Sequence, residues 1–218
     1  MTVPVSTLKE RLMAWASQGL RQDMMDARAE FFRQSGEVHD DEPSFDAFMD
    51  AFADWFLCDR PTPVVGTPAQ RFVTEQAGVL PPDELKLFEA FLKTRPGLFR
   101  LLRLMDGQVK VKDLFTKETL TVMERRRMVG VEKGDIFHAR LIPMPDGWWF
   151  TGMPLFHPNE VNRQIMKVAN QARRAGEPAF REATEQLLLR RLKVDRYKRV
   201  EAATLYQDMV PKGLVPFW

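Results

Sequence analysis

Asp106-Gly107-Gln108-Val109-Lys110-Val111-Lys112-Asp113 is where this 218-residue chain changes its hydrophobic period from 3.6 to 2. Val109 and Val111 alternate with Lys110 and Lys112, and Thr116-Lys117-Glu118 turns the chain into Thr119-Leu120-Thr121-Val122. That pattern predicts a hairpin. Lys133-Gly134-Asp135 is a turn signal opening a strand over 136–142, and Pro145-Asp146-Gly147 joins it to another over 148–153. Four or five short strands within about 50 residues fit a small, strongly curved antiparallel module of the SH3-like or OB-like kind.

On the N-terminal side the period is helical. Leu8, Leu12, Trp15, Leu20, Met24 and Phe31 approximate one stripe, long enough for one helix or two, and Gly36 ends it. After a polar loop, Phe45, Phe48, Met49, Phe52, Trp55 and Phe56 follow the i, i+3, i+4, i+7 spacing and place five aromatic rings on one wide stripe. Phe48, Phe52 and Trp55 are therefore expected in the core. The prolines of Pro61-Thr62-Pro63-Val64-Val65-Gly66-Thr67-Pro68 stop any helix there, and helical patterns resume over 69–76, 83–93 and 97–105.

Beyond Asn159 the helical period returns, with Gly176 as a stop and two further helical stretches over 178–192 and 194–209. The expected architecture is α+β, with helical N- and C-terminal regions, 1–105 and 158–218, packed around a β-module at 106–157 as one cooperative unit.

Composition bounds the function. Hydrophobic residues make up 44% of the chain and aromatics 11%, which is ample for a core. The mean hydropathy of −0.32 and the lack of any long apolar run argue against a membrane span, and no signal-peptide pattern opens the chain, so a cytosolic protein is expected. The single cysteine, Cys58, excludes an internal disulfide and a thiolate zinc site. Residues 1–60 carry 6 basic and 12 acidic side chains, net −6, whereas residues 160–218 carry 12 basic and 7 acidic, net +5. The two ends therefore attract each other, or the basic end meets a polyanion or an acidic partner.

No catalytic signature is present: there is no G-x-S-x-G, no phosphate-cradling G-x-x-x-x-G-K and no G-x-G-x-x-G. His39, His138 and His157 lack metal-ligand spacing, so no catalytic or metal residues and no cofactor are assigned. Asp46, Asp50 and Asp54 recur every four residues along one helix side, which reads as a solvated acidic face or one docked on the basic C-terminal part. Arg125, Arg126 and Arg127 between strands, with Arg190, Arg191, Arg196 and Arg199 in the last helical region, are the candidate polyanion-binding residues, since guanidinium groups grip phosphates through paired donors. Trp148 and Trp149, together with the apolar end Phe217 and Trp218, are the candidate partner-binding residues.

Asp54-Trp55-Phe56-Leu57, Gly66-Thr67-Pro68, Val111-Lys112-Asp113-Leu114-Phe115-Thr116, the run from Gly134 to Pro143, and Thr151-Gly152 together resemble a group of bacterial proteins, some of which end in a small SEC-C zinc motif. The resemblance covers roughly residues 45–155. With one cysteine this chain cannot hold that motif, so zinc binding does not carry over. The sequence thus leads to a non-enzymatic adaptor that binds a protein partner or a second copy of itself. A nucleic-acid- or ribosome-associated factor is the alternative, and an enzyme of unrecognised type the third reading.

Overall fold

The computed structural model describes residues 3–33 and 37–207. Among them are eight α-helices and six short strands, an α+β protein with a small β-module. Contacts divide the chain into two compact units: Met1–Asp40, Phe45–Pro96 and Ala139–Met153 form one, and Asp41–Ser44, Gly97–His138 and Pro154–Trp218 the other.

In the first unit, Leu8, Leu12 and Ala16 form the buried line of α1 (Val5–Gly19). Leu20 then leaves the helical region (φ −128°, ψ 31°) and α2 (Arg21–Phe31) starts, so the first stripe belongs to two helices. The aromatic run becomes α3 (Phe45–Cys58), with Phe48, Phe52 and Phe56 buried. Trp55 is only half-buried, at the edge of the cluster, with its ring 5.4 Å from Phe31. A capping box at Thr67 and Gln70 starts α4 (Pro68–Gln76), satisfying the backbone N–H groups that open the helix. Pro82 starts α5 (Pro82–Glu89), which tightens into a 3-10 turn at Ala90–Lys93.

The second unit corrects the reading of 97–105 as helix. Arg95–Met105 is strand β1, antiparallel to β2 (Gln108–Asp113), which pairs in turn with β3 (Thr119–Met123). The register of β1 against β2 slips between Leu101 and Arg103. A residue inserted there destroys the alternation that marks a strand, and the leucines then mimic a helical stripe. The expected hairpin is β2–β3. Strand β4 (Ile136–Met144) pairs with β5 (Gly147–Phe150) through its later residues, and its Phe137 and His138 face β6 (Leu155–Phe156).

A 3-10 turn at Asn159–Val161 leads into α6 (Asn162–Ala175), and Gly176 (φ +94°) supplies the left-handed step before α7 (Glu177–Arg196). This last helix runs past the break expected near 193, and α8 (Ala202–Leu205) follows. The core of this unit gathers Leu98, Leu114, Phe115 and Ile136 from the β-module with Ile165, Val168, Ala183, Leu187 and Tyr206 from the helical segment. Phe115 stacks on Phe180 at 4.6 Å.

Candidate functional site

Alternation makes the β1–β2–β3 meander one-sided. Val109, Val111, Leu120 and Val122 are buried, while Arg100, Arg103, Lys110, Thr119 and Thr121 are exposed and Lys112 is half-exposed. The register puts Arg100 opposite Lys112 and Lys112 opposite Thr119. It also puts Arg103 opposite Lys110 and Lys110 opposite Thr121. Two cross-strand rows result, each of two cations and one hydroxyl. Like charges directly opposite one another repel, and none of these four cations forms an ion pair or a side-chain hydrogen bond with another described residue. Leu98, two positions before Arg100 on β1, is buried in the core built with α6 and α7, so the cations start where that cover stops.

The hairpin at the end of this face is tightly made. The Asp113 carboxylate accepts hydrogen bonds from the backbone N–H groups of Phe115 (2.8 Å) and Thr116 (3.1 Å). Lys117 follows at φ +68° and its ammonium donates to Asn170 Oδ1 on α6 at 3.2 Å.

Of the arginines singled out in the sequence, several are engaged within their own unit. Arg126 chelates Glu124 through Nε (3.0 Å) and Nη2 (2.6 Å). Arg191 donates to the Phe156 carbonyl (2.6 Å), Asp195 (2.5 Å) and Ser44 (2.7 Å), and Arg196 pairs with Glu42 at 2.6 Å. Arg125, Arg127 and Arg199 are exposed, and Arg190 is half-buried. Trp148 and Trp149 are half-buried in β5, opposite Pro143 and Ile142, and the Trp149 indole donates to Asp146 at 2.8 Å. As neighbours on a strand they point to opposite faces and form no common platform. Phe217 and Trp218 lie outside the described residues, as do Gly36 and the end of the stretch over 194–209.

Missing from the sequence candidates are Arg100, Arg103, Lys110 and Lys112. The alternation of lysine with valine in β2 carries the signal for the last two. Arg100 and Arg103 carried none while β1 read as a helix.

Further polar groups are buried in each unit. In the first unit, the Lys9 ammonium sits between Asp50 (2.9 Å) and Asp54 (2.8 Å). Burial opposes its charge, but the two carboxylates, Asp54 foremost, outweigh burial and hold it above its ordinary pKa. Thr151 donates to Asp54 at 2.5 Å and the Met153 N–H to Asp50 at 2.8 Å. A Cβ at Gly152 would lie 2.7 Å from Asp50 Cγ, so this close approach requires glycine. The aspartates at four-residue spacing are therefore not a solvated face: Asp54 is buried and Asp50 half-buried, and only Asp46 is exposed. Arg140, bonded to Asp59 and to Thr94 (2.9 Å), lies near Cys58, whose thiol burial pushes up to about 11, a protonated and poorly nucleophilic state.

In the second unit, His138 and His157 pack edge to face at 4.9 Å between centroids, and His157 Nδ1 shares a 2.6 Å hydrogen bond with the Tyr206 hydroxyl. Burial pushes His138 down to about 3. His157 is also held well below its ordinary value, by burial and then by His138 and Arg191. Both rings are neutral.

What this geometry defines is an α+β chain with a cationic sheet face whose four cations have no ion-pair partner among the described residues, and with Lys9, Arg126, Arg140 and Arg191 engaged by internal carboxylates. The chain belongs to DUF7986, a family of unknown function whose model matches residues 38–178, a span that contains the whole cationic face. No curated protein and no solved structure matches it.

Proposed function

We propose that this protein binds single-stranded nucleic acid, without catalysing a reaction, by laying the sugar–phosphate backbone across the exposed face of β1–β2–β3. The observation that carries the reading is the pair of cross-strand rows, Arg100–Lys112–Thr119 and Arg103–Lys110–Thr121, in which cations face cations with no ion pair to an acidic group among the described residues. Successive outward residues on one strand stand about 7 Å apart, comparable to the step between phosphates of an extended strand. Arginine and lysine donate charge-assisted hydrogen bonds to phosphate oxygens, and the threonine hydroxyls add neutral donors beside them. Without stacking aromatics on this face, recognition is independent of sequence.

The test is anisotropy titration of labelled oligouridylate and oligothymidylate over a range of salt. Binding should weaken with salt, with a log–log slope of about −0.7 per phosphate neutralised. Combined Arg100→Glu and Lys110→Glu exchanges should abolish it. No binding to either strand at low salt, or affinity unchanged by the double reversal, overturns the reading.

The adaptor reading has an observation of its own. Val64 and Val65, 75% and 73% exposed, crown a loop closed by a 2.7 Å bond from Thr62 N–H to the Gly66 carbonyl. An apolar tip held on a rigid loop suits insertion into a partner's pocket. Val64→Asp with Val65→Asp should then leave the melt unchanged and release a partner retained from nuclease-treated native extract. Retention unaltered by the exchange removes this reading.

A further inference from the structure

We propose that Lys112, Lys117 and Arg173 form a discrete phosphate-binding subsite at the β2–β3 hairpin end of the cationic face, seating one phosphate of the bound strand. This deepens the nucleic-acid reading and rests on it.

Lys117 is placed there at a cost. It is the one non-glycine with positive φ among the described residues, and a side chain with a Cβ is disfavoured in that left-handed region where glycine is at ease. The rest of the hairpin leaves it no choice of direction. Its N–H donates to the Asp113 carbonyl at 2.9 Å, the Asp113 N–H donates to the Glu118 carbonyl at 2.9 Å, and the preceding Leu114 and Phe115 are anchored in the core. The ammonium is carried over to Asn170, and Arg173 stands three residues further along α6, on the same side of that helix.

A strand, a hairpin and a helix thus each bring one cation to this end of the face, near enough for the charges of Lys112 and Arg173 to act on Lys117. Burial, then the charges of Arg173 and Lys112, depress the Lys117 pKa against the opposing pull of Asp113. That carboxylate is already an acceptor for two backbone N–H groups. The mutual repulsion is unfavourable for the empty protein and is offset by a phosphate, whose oxygens accept from all three, while the backbone strain at Lys117 is the standing cost of placing an ammonium there.

Lys117→Gly separates the two roles, because it removes the charge while relieving the backbone. The melting temperature should rise by about 2 °C or more. Oligouridylate affinity should drop severalfold, and the salt slope should shrink by about 0.7. Lys117→Arg should keep both near the original values. A Lys117→Gly protein that binds with unchanged affinity and slope, while the Arg100→Glu/Lys110→Glu protein does not bind, overturns the subsite and leaves the face reading standing. If the original protein fails to bind at low salt, the face reading fails and takes the subsite with it.

Discussion

Residue identity says little about availability until the partners are known. Arg191 looks in sequence like part of a basic patch, yet it ties α7 to the Phe156 carbonyl and Ser44 and pairs with Asp195 one turn along the same helix. Arg191→Met should lower stability by about 3 kcal/mol in urea melts, since it strands a mostly buried carboxylate. The same exchange should leave the salt slope of oligonucleotide binding unaltered, in contrast to Lys110→Glu. Lys9 is the parallel case in α1: Lys9→Met leaves Asp50 and Asp54 facing each other unneutralised and should also cost about 3 kcal/mol, whereas Lys86→Met, on the exposed side of α5, should cost almost nothing.

Elements sort themselves by how local their determinants are. The stripe of α3 is helical in sequence and in structure because its period depends only on neighbours three and four residues away. Phe48→Ala and Phe52→Ala should each cost about 3–5 kcal/mol in denaturant melts, and Trp55→Ala distinctly less because its ring is only half-buried. Strand β1 has non-local determinants. Its hydrogen bonds go to β2 across a turn, and its bulge erases the period that would have betrayed it. An isolated 106–157 fragment lacks β1 and every helix that covers Leu114, Phe115 and Ile136. It should show a collapsed, poorly dispersed amide spectrum; a dispersed spectrum with a cooperative melt would establish the module as self-sufficient.

At the scale of the whole molecule the buried histidines set the response to acid. The folded protein keeps His138 and His157 neutral among Phe137, Phe156, Tyr206 and the Arg191 guanidinium, while the unfolded chain protonates both near the ordinary value of 6.5. Below that value the unfolded state binds more protons, so stability is complete above it and falls as pH drops. The loss should approach about 1.4 kcal/mol per pH unit for each histidine, continuing for His138 toward its depressed value. Urea melts over a pH series should show this slope, and His138→Leu should remove one histidine's share of it. A stability flat between about pH 6.5 and 4 would mean that the rings are charged in the folded protein.

By itself the sequence determined the α+β class, the three-part order of helix, strand and helix, the β2–β3 hairpin and the one-sidedness of β2. All of these rest on periods and turn residues spanning a few positions, which the chain expresses locally. The tertiary structure alone decided that Arg95–Met105 is a strand, that Lys9 neutralises Asp50 and Asp54, that Arg191 and Arg196 hold α7 in place, and that Lys117 meets Asn170. Each of those depends on groups 40 or more residues apart, or on a bulge that hides the local period. The cationic face lies across that divide: its lysines are legible as an alternation, and its arginines enter only when β1 pairs with β2.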